Sequence, residues 1–225
     1  MRIWISGSLN LILEHYRDLH SVAPLASTLK GLAIHTASEA GVAEGPDYEF
    51  GWGLLNTLGA VQVVDASVTD PLRIREAVLA QSQTAVFEGI SSGSEPITVT
   101  VCWTDPAATS PSPVLDDPTS MLVNDLDVRL ERVSDGLLYE PYVLDPSNPS
   151  VAATSGDNTR DNVEKIYAAT PSAGLYRVLV SHKGTLTASQ AFSLITSGLV
   201  GDVTPPAAIV DLTSYAKYGH YDAKR

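Results

Sequence analysis

The apolar residues of this chain change their spacing near residue 70. Before that point they recur every three or four positions, which predicts amphipathic helices. The clearest series is Leu9, Ile12, Leu13, Tyr16 and Leu19. Similar spacing predicts a second helix over residues 25–37 and a third over residues 54–64, with a glycine-rich connection at 41–53 between them. The first part of the chain is therefore predicted to be helical.

From about residue 71 onward, apolar and polar residues alternate, which is the pattern of half-buried strands. The predicted strands cover residues 72–80, 83–89, 97–103, 125–132, 163–169, 175–182 and 190–197. Short runs rich in serine, glycine and proline separate them, and two long loops interrupt them at 104–120 and 142–161. Many short strands with such turns predict an all-β sandwich or a jelly roll.

The first predicted helix is apolar on more than one face, because Leu9, Leu11, Ile12 and Leu13 are close together in it. A helix that is apolar nearly all round normally lies inside a larger body. The helical segment contains no predicted strand, so its helices have no sheet of their own on which to pack. We therefore expect residues 1–70 to be the end of a larger domain.

The composition limits the classes of partner. The chain has 225 residues, 26 acidic and 14 basic side chains, and a net charge of −12. Such a surface repels a polyanion, so no nucleic-acid partner is expected, whereas oxygen-rich cation sites fit well. No apolar run is long enough for a membrane span. The single cysteine, Cys102, lies in an alternating strand and is predicted to be a buried apolar residue rather than a reactive thiol.

Two segments of the helical part resemble the end of the catalytic domain of subtilisin-like serine proteases, the subtilases. Residues 5–11, Ile-Ser-Gly-Ser-Leu-Asn-Leu, are similar to the buried helix that follows the nucleophilic serine in that family. Residues 45–56, Gly-Pro-Asp-Tyr-Glu-Phe-Gly-Trp-Gly-Leu-Leu-Asn, look like the family's late G-x-G-x-x-N turn, which opens its last helix. The two segments also have the order and spacing of that family.

The β part continues the resemblance. Residues 122–127, Leu-Val-Asn-Asp-Leu-Asp, and 161–164, Asp-Asn-Val-Glu, are similar to motifs of the jelly-roll, convertase P-like domain that follows some bacterial subtilases. Residues 203–212 look like the first strand of a fibronectin type III module.

The resemblance implies three parts and an α+β fold overall. Residues 1–70 would be the C-terminal helices of a truncated α/β subtilase domain, and residues 71–200 an all-β jelly-roll sandwich. Residues 201–225 would be a linker and the truncated start of a fibronectin type III-like module.

The resemblance further implies a secreted, extracellular endopeptidase that hydrolyses peptide bonds of protein or peptide substrates. The family's nucleophile lies in the string Gly-Thr-Ser-x-Ala-x-Pro, which does not occur here. Its catalytic aspartate, histidine and serine are therefore expected in an N-terminal catalytic domain that is the partner of this chain. We expect this chain by itself to be inactive and to contain no signal peptide. Neither Ser6 nor Ser8 has a histidine three or four residues away, so both are expected to be packing or surface serines.

Acidic residues are concentrated in residues 104–164, which hold 12 of the 26 carboxylates and three basic residues. Asp125 and Asp127 are two apart on a predicted strand, so their side chains face the same way, about 6–7 Å apart at their base. A Ca²⁺ ion between them would remove their mutual repulsion. With the family resemblance, this pattern gives a predicted calcium site. Its predicted ligands are Asp105, Asn124, Asp125, Asp127, Asp161, Asn162 and Glu164.

Three alternatives remain open. The acidic residues also fit a solvated strand edge that discourages the addition of further strands. The β part could instead be a stand-alone module that binds calcium, carbohydrate or protein, with Trp103, Tyr139 and Tyr142 as an aromatic platform; core packing is the other interpretation of these three rings. Finally, the chain could be a fragment with no function of its own.

Overall fold

The computed structural model describes residues 2–110, 114–115 and 117–201. The proposed fibronectin-like segment, residues 203–212, and the tail after it lie outside this part of the chain. Three helices come first, in the positions that the spacing predicts. They are α1 (Arg2–His20), α2 (Ala26–His35) and α3 (Thr57–Ser67). The described residues therefore begin with a helical region, as predicted.

Strands begin directly after the helical region. They are β1 (Ile74–Leu79), β2 (Ala85–Ser91), β3 (Ile97–Trp103), β4 (Leu126–Arg132), β5 (Leu137–Tyr139), β6 (Tyr142–Val143), β7 (Thr154–Ser155), β8 (Val163–Ala168), β9 (Gly174–His182), β10 (Gln190–Ser197) and β11 (Val200–Gly201). The seven predicted strands are all present, with ends that shift by at most two residues. The four shortest, β5, β6, β7 and β11, were not predicted. The coarse fold class, α+β, is thereby confirmed.

Apart from β6 and β7, which pair with each other, the strands form two antiparallel sheets. The first sheet has the order β1-β10-β3-β8, and the second has the order β11-β2-β9-β4-β5. Their facing sides share one hydrophobic core, to which Trp103 and Phe192 of the first sheet and Val128 and Tyr176 of the second contribute. The indole Nε1 of Trp103 donates to the carbonyl oxygen of Asn124 at 3.0 Å inside this core. The described β region is therefore a two-sheet sandwich.

The helices pack on the outer face of the first sheet. A second core joins Ile12 and Tyr16 of α1 and Leu32 of α2 to Val64 of α3 and Ile195 of β10. The expectation that these helices have no sheet on which to pack is therefore wrong. The sandwich supplies the sheet, because Ile195 on the outer face of β10 belongs to this second core.

Helix α2 makes the closest approach. A Cβ atom on Gly31 would lie 2.3 Å from Cδ1 of Ile195, so a larger residue there would require the Ile195 side chain or the helix to move. Cys102 lies beneath the same helix turn and is fully buried. Burial raises the pKa of its thiol to about 12, which is the property of an unreactive buried cysteine, as predicted.

The side of α1 away from the sheet is only partly apolar. Ile12 is fully buried, whereas Leu11 is 60% exposed and Ile5 is 46% exposed. At the start of the third helical segment, Leu54 and Leu58 are also exposed. These residues are among the apolar side chains of the helical region that the described chain leaves exposed.

Candidate cation site

The site lies at a corner of the sandwich where strand β4 loses its neighbour. Strand β5 pairs with β4 only over Leu130–Arg132. On that side the backbone N–H of Val128 is left without a strand partner. Glu164 of β8, which belongs to the other sheet, fills the gap: its Oε2 accepts from Val128 N at 2.5 Å. A fully buried carboxylate thus closes this corner.

Asp125 and Asp127 bring two more carboxylates to the corner. Leu126, Val128 and Leu130 are fully buried in the core, so the alternating residues turn to the other face, as the sequence pattern predicts. Asp127 is nevertheless buried, with an exposed fraction of 5%. Its Oδ1 lies 3.0 Å from Nζ of Lys183 and 3.5 Å from a guanidinium nitrogen of Arg129.

Asp157 is a fourth carboxylate that the sequence analysis missed. It lies in the long loop before β8, and its Oδ1 accepts from Arg129 at 3.1 Å and from Lys183. The bond from Lys183 is the main reason why the pKa of Asp157 falls to about 2. Because a long loop has no periodic pattern, the only signal for this residue was the acidic composition of the loop.

The corner contains more negative than positive groups. Four carboxylates, Asp125, Asp127, Asp157 and Glu164, are matched by two cations, Arg129 and Lys183, so two negative charges remain if all ionise. This excess affects the pKa values. Burial, joined by the charges of Asp127 and Asp125, raises the pKa of Glu164 to about 9. Burial likewise raises the pKa of Asp125 and Asp127, in opposition to Lys183.

Three buried oxygen atoms in the corner have no hydrogen-bond partner within the described residues: Oδ1 of Asp125, Oδ1 of Asp127 and Oε1 of Glu164. Of these, Oδ1 of Asp127 lies beside the cations Lys183 and Arg129. A buried carboxylate oxygen without a partner is costly, and a hard cation such as Ca²⁺ binds oxygens of this type. The donor chemistry and the charge excess therefore fit a divalent cation. In the described chain, however, no three acidic, histidine or cysteine side chains are already grouped around one point as metal ligands.

The other four predicted ligands lie outside the corner. Both oxygens of Asp105 accept from backbone, at 2.7 Å from Val123 N and 2.8 Å from Asn124 N. Asn124 donates from Nδ2 to Oε1 of Gln190 at 2.7 Å, and its Oδ1 accepts from Thr187 N at 3.0 Å. These side chains tie the segment before β4 to the loop after β3 and to the residues around the start of β10.

Asp161 and Asn162 have similar supporting contacts. Oδ2 of Asp161 accepts from Nδ2 of Asn158 at 3.0 Å. Oδ1 of Asn162 accepts from Nζ of Lys30 at 2.5 Å, which links the loop to α2. Asp105, Asp161 and Asn162 line a shared groove of about 340 Å³. Three of the seven predicted ligands thus lie at the corner and three line the groove, whereas Asn124 belongs to neither, and the calcium assignment stays a prediction.

The proposed aromatic platform is not a single surface. Trp103 is fully buried in the core, and the Tyr139 ring packs with the Tyr176 ring at 6.5 Å between centroids. Tyr142 instead lines a cavity on another side of the sandwich. The two histidines of α1 bond to different residues of α3. His15 bonds to Asp65 at 2.6 Å, and His20 bonds to Ser67 at 2.9 Å.

No known protein-family model matches this chain, and no curated protein matches it. None of the helices in the described ranges is long and apolar enough to cross a membrane.

Proposed function

We propose that this chain is the C-terminal part of a secreted subtilisin-like serine endopeptidase, in which a jelly-roll, P-like sandwich braces the catalytic domain. The proposal rests on the resemblance of segments 5–11, 45–56, 122–127 and 161–164. In the parent protein, the missing catalytic domain would supply the triad and would cover the exposed Leu11 and Ile5 of α1. The separate chain would be inactive.

One structural observation supports the bracing role: α2 is held by the sandwich along its whole length. At its start, Oε1 of Glu76 in β1 accepts from Leu25 N at 2.7 Å and so caps the helix with a carboxylate. At its end, the ring of His35 bonds to Thr100 Oγ1 at 3.0 Å and to Ser197 Oγ at 2.8 Å. Because α2 also packs on α1 and α3 through Leu32, the helices cannot leave the sandwich without exposing a shared core.

We also propose that the carboxylate corner binds Ca²⁺. Asp125, Asp127 and Glu164 would hold the ion, which would supply positive charge to neutralise the excess of this corner. Glu164 would then couple the two sheets more firmly, since it belongs to β8 and bonds to β4. Lys183 and Arg129 neutralise part of the same charge in the described structure.

The peptidase proposal is tested by reading the coding DNA upstream of residue 1 and by expressing the longest open frame. We expect an in-frame Gly-Thr-Ser-x-Ala-x-Pro string, casein hydrolysis by the longer chain, and loss of that activity with a serine-directed inhibitor. The present chain should give no hydrolysis. A stop codon directly upstream with a genuine start at Met1, or inhibitor-sensitive hydrolysis by the present chain, would contradict the proposal.

The second candidate function is a stand-alone β-sandwich module that binds calcium or another ligand. The observation that favours it is that the helices find their sheet within this chain. The upstream stop codon that contradicts the peptidase proposal would support this alternative.

Calcium is expected to stabilise the chain against thermal unfolding. When the free calcium concentration is ten times the dissociation constant, binding to the folded state alone adds about 1.4 kcal/mol to the free energy of unfolding. For a chain of this size that gain raises Tm by about 3–5 °C. The measurement compares unfolding in EDTA, in Ca²⁺ and in Mg²⁺. The variant D125N/D127N should lose the calcium response, whereas D135N, at an exposed turn beside Arg132, should keep it. An unchanged Tm for the unsubstituted chain at millimolar calcium would refute the calcium site.

A further inference from the structure

A cavity of about 290 Å³ lies between the glycine-rich connection and the sandwich. It is lined by aromatic rings and by charged side chains, namely Trp52, Tyr142, Tyr167, Glu39, Glu44 and Lys165. Sites for drug-sized molecules typically occupy about 300–1,000 Å³, so this cavity suits a smaller molecule. It shares none of its lining with the carboxylate corner.

Lys165 of β8 gives the cavity a cation that lacks an anionic partner. Its Nζ donates to the carbonyl oxygen of Ile34 at 3.0 Å and lies 5.9 Å from the centre of the Trp52 ring. Within the described residues it forms no ion pair at 4.0 Å or less. A half-buried ammonium of this type is stabilised by an incoming carboxylate.

Two carboxylates give the same cavity a negative side. Both oxygens of Glu39 accept from the connection, at 2.9 Å from Ala40 N and 2.8 Å from Gly45 N, so this side chain has a fixed position. Glu44 lines the cavity as well. Burial, followed by the charges of Glu44 and Glu39, raises the pKa of Tyr142 to about 12.

A cation, two carboxylates and aromatic walls around a small space are complementary to a small zwitterion with an apolar body. We propose that this cavity binds a free α-amino acid with an apolar side chain. Its carboxylate would pair with Lys165, its ammonium group with Glu44 and Glu39, and its side chain would lie against Trp52 and Tyr142. The inference rests on the lining of the cavity and needs neither the peptidase nor the calcium proposal, although Trp52 and Gly45 belong to segment 45–56.

The chemistry of one apolar residue that ends in a carboxylate also occurs at the C-terminus of a peptide. Isothermal titration of the full chain with three probes distinguishes a free amino acid from a peptide C-terminus. L-Leucine carries both charges, N-acetyl-L-leucine lacks the ammonium group, and L-leucinamide lacks the carboxylate. We expect L-leucine to bind at least tenfold more tightly than either derivative. Equal binding of N-acetyl-L-leucine would overturn the amino-acid assignment in favour of a peptide C-terminus.

Two variants test the residue roles. K165M should reduce the affinity for L-leucine at least tenfold, and E44Q should reduce it several-fold. E44Q changes an exposed side chain, so it keeps the proposal testable if K165M does not fold. R75M, at an exposed position of β1 outside the cavity, should bind like the parent chain. The absence of L-leucine binding by the parent chain, or equal binding by E44Q and the parent, would overturn the proposal.

Discussion

Replacement of Glu164 by glutamine is expected to stabilise the metal-free chain by about 2–3 kcal/mol at pH 8, because glutamine is neutral without taking up the proton that the folded chain must otherwise bind. Glutamine has nearly the same shape and keeps an oxygen that can accept from Val128 N. It removes a carboxyl group that is fully buried near Asp125 and Asp127. The measurement is urea unfolding in EDTA, with the free energy of unfolding of both proteins extrapolated to water.

The pH dependence of this difference gives a sharper test. The pKa of Glu164 is raised from 4.5 to about 9 in the folded chain, so the folded state retains a proton that the unfolded state loses. Its stabilising contribution is therefore complete below pH 4.5 and is lost as the pH rises toward 9. The advantage of E164Q should accordingly grow between pH 5 and 8, by roughly 1 kcal/mol per pH unit at most.

His35 has the opposite effect on the pH dependence of stability. For this reason the test uses the difference in free energy of unfolding between the two proteins. Burial lowers the pKa of His35 from 6.5 to about 3. The stability that its neutral ring contributes is present above pH 6.5 and is lost as the pH falls toward 3. Both proteins keep this loss of stability at low pH. It therefore cancels when their free energies of unfolding are subtracted, and the contribution of Glu164 remains.

E88Q is the matched control. Glu88 is an exposed carboxylate that pairs with Arg177 at 2.8 Å, and exposed pairs of this type contribute about 0–1 kcal/mol. The free energy of unfolding of this variant should differ little from that of the unsubstituted chain. In calcium, the unsubstituted chain should gain stability and E164Q should not. The difference between their free energies of unfolding should therefore become smaller. A less stable E164Q in EDTA at pH 8 would show that Glu164 is ionised and already compensated in the metal-free chain.

The alternation of apolar residues was enough to place the seven longer strands, because burial on one face determines which residues along a strand are apolar. It did not reveal that α2 covers the other face of β3. On that face Thr98, Thr100 and Cys102 are small and polar or weakly polar, which is also the composition of a solvated face. Only the contacts from α2, such as the His35–Thr100 bond, show that this face is buried.

The candidate cation site was predictable in part for a similar reason. Period-two alternation put Asp125 and Asp127 on one face, and their burial follows from the loop that covers that face. Asp157 and Lys183 were not found, because their approach depends on the path of a long loop and on the pairing of β4 with β9. Sequence spacing contains no information on either of these. The same limit applies to Lys165, whose cavity is formed by a connection more than 100 residues earlier in the chain.

Substitution of Gly31 by alanine is expected to destabilise the chain by about 2–3 kcal/mol, the upper part of the range for overpacked cores. Alanine alone would favour the helix by about 1 kcal/mol relative to glycine. The loss arises because its Cβ would lie 2.3 Å from Cδ1 of Ile195 and would push α2 away from β10. Urea unfolding of the full chain measures the effect.

The double variant G31A/I195V identifies the cause. Valine lacks Cδ1, so I195V by itself should cost about 0.5–1.5 kcal/mol through the cavity that it leaves. The added cost of G31A should then fall close to zero in this background. Additive losses would mean that the helix does not depend on this close approach, and the bracing role of the sandwich would lose its geometric basis.

Gly7 provides the matched helical control for this experiment. It lies in α1, and a Cβ atom there would meet no heavy atom within 4 Å. G7A should therefore stabilise the chain by about 0.4–1 kcal/mol, because alanine restricts the unfolded chain without a steric conflict in the folded one. Opposite signs for G7A and G31A would separate helix propensity from packing. A loss for both would mean that the far face of α1 is already covered, and the proposed covering partner would then be unnecessary.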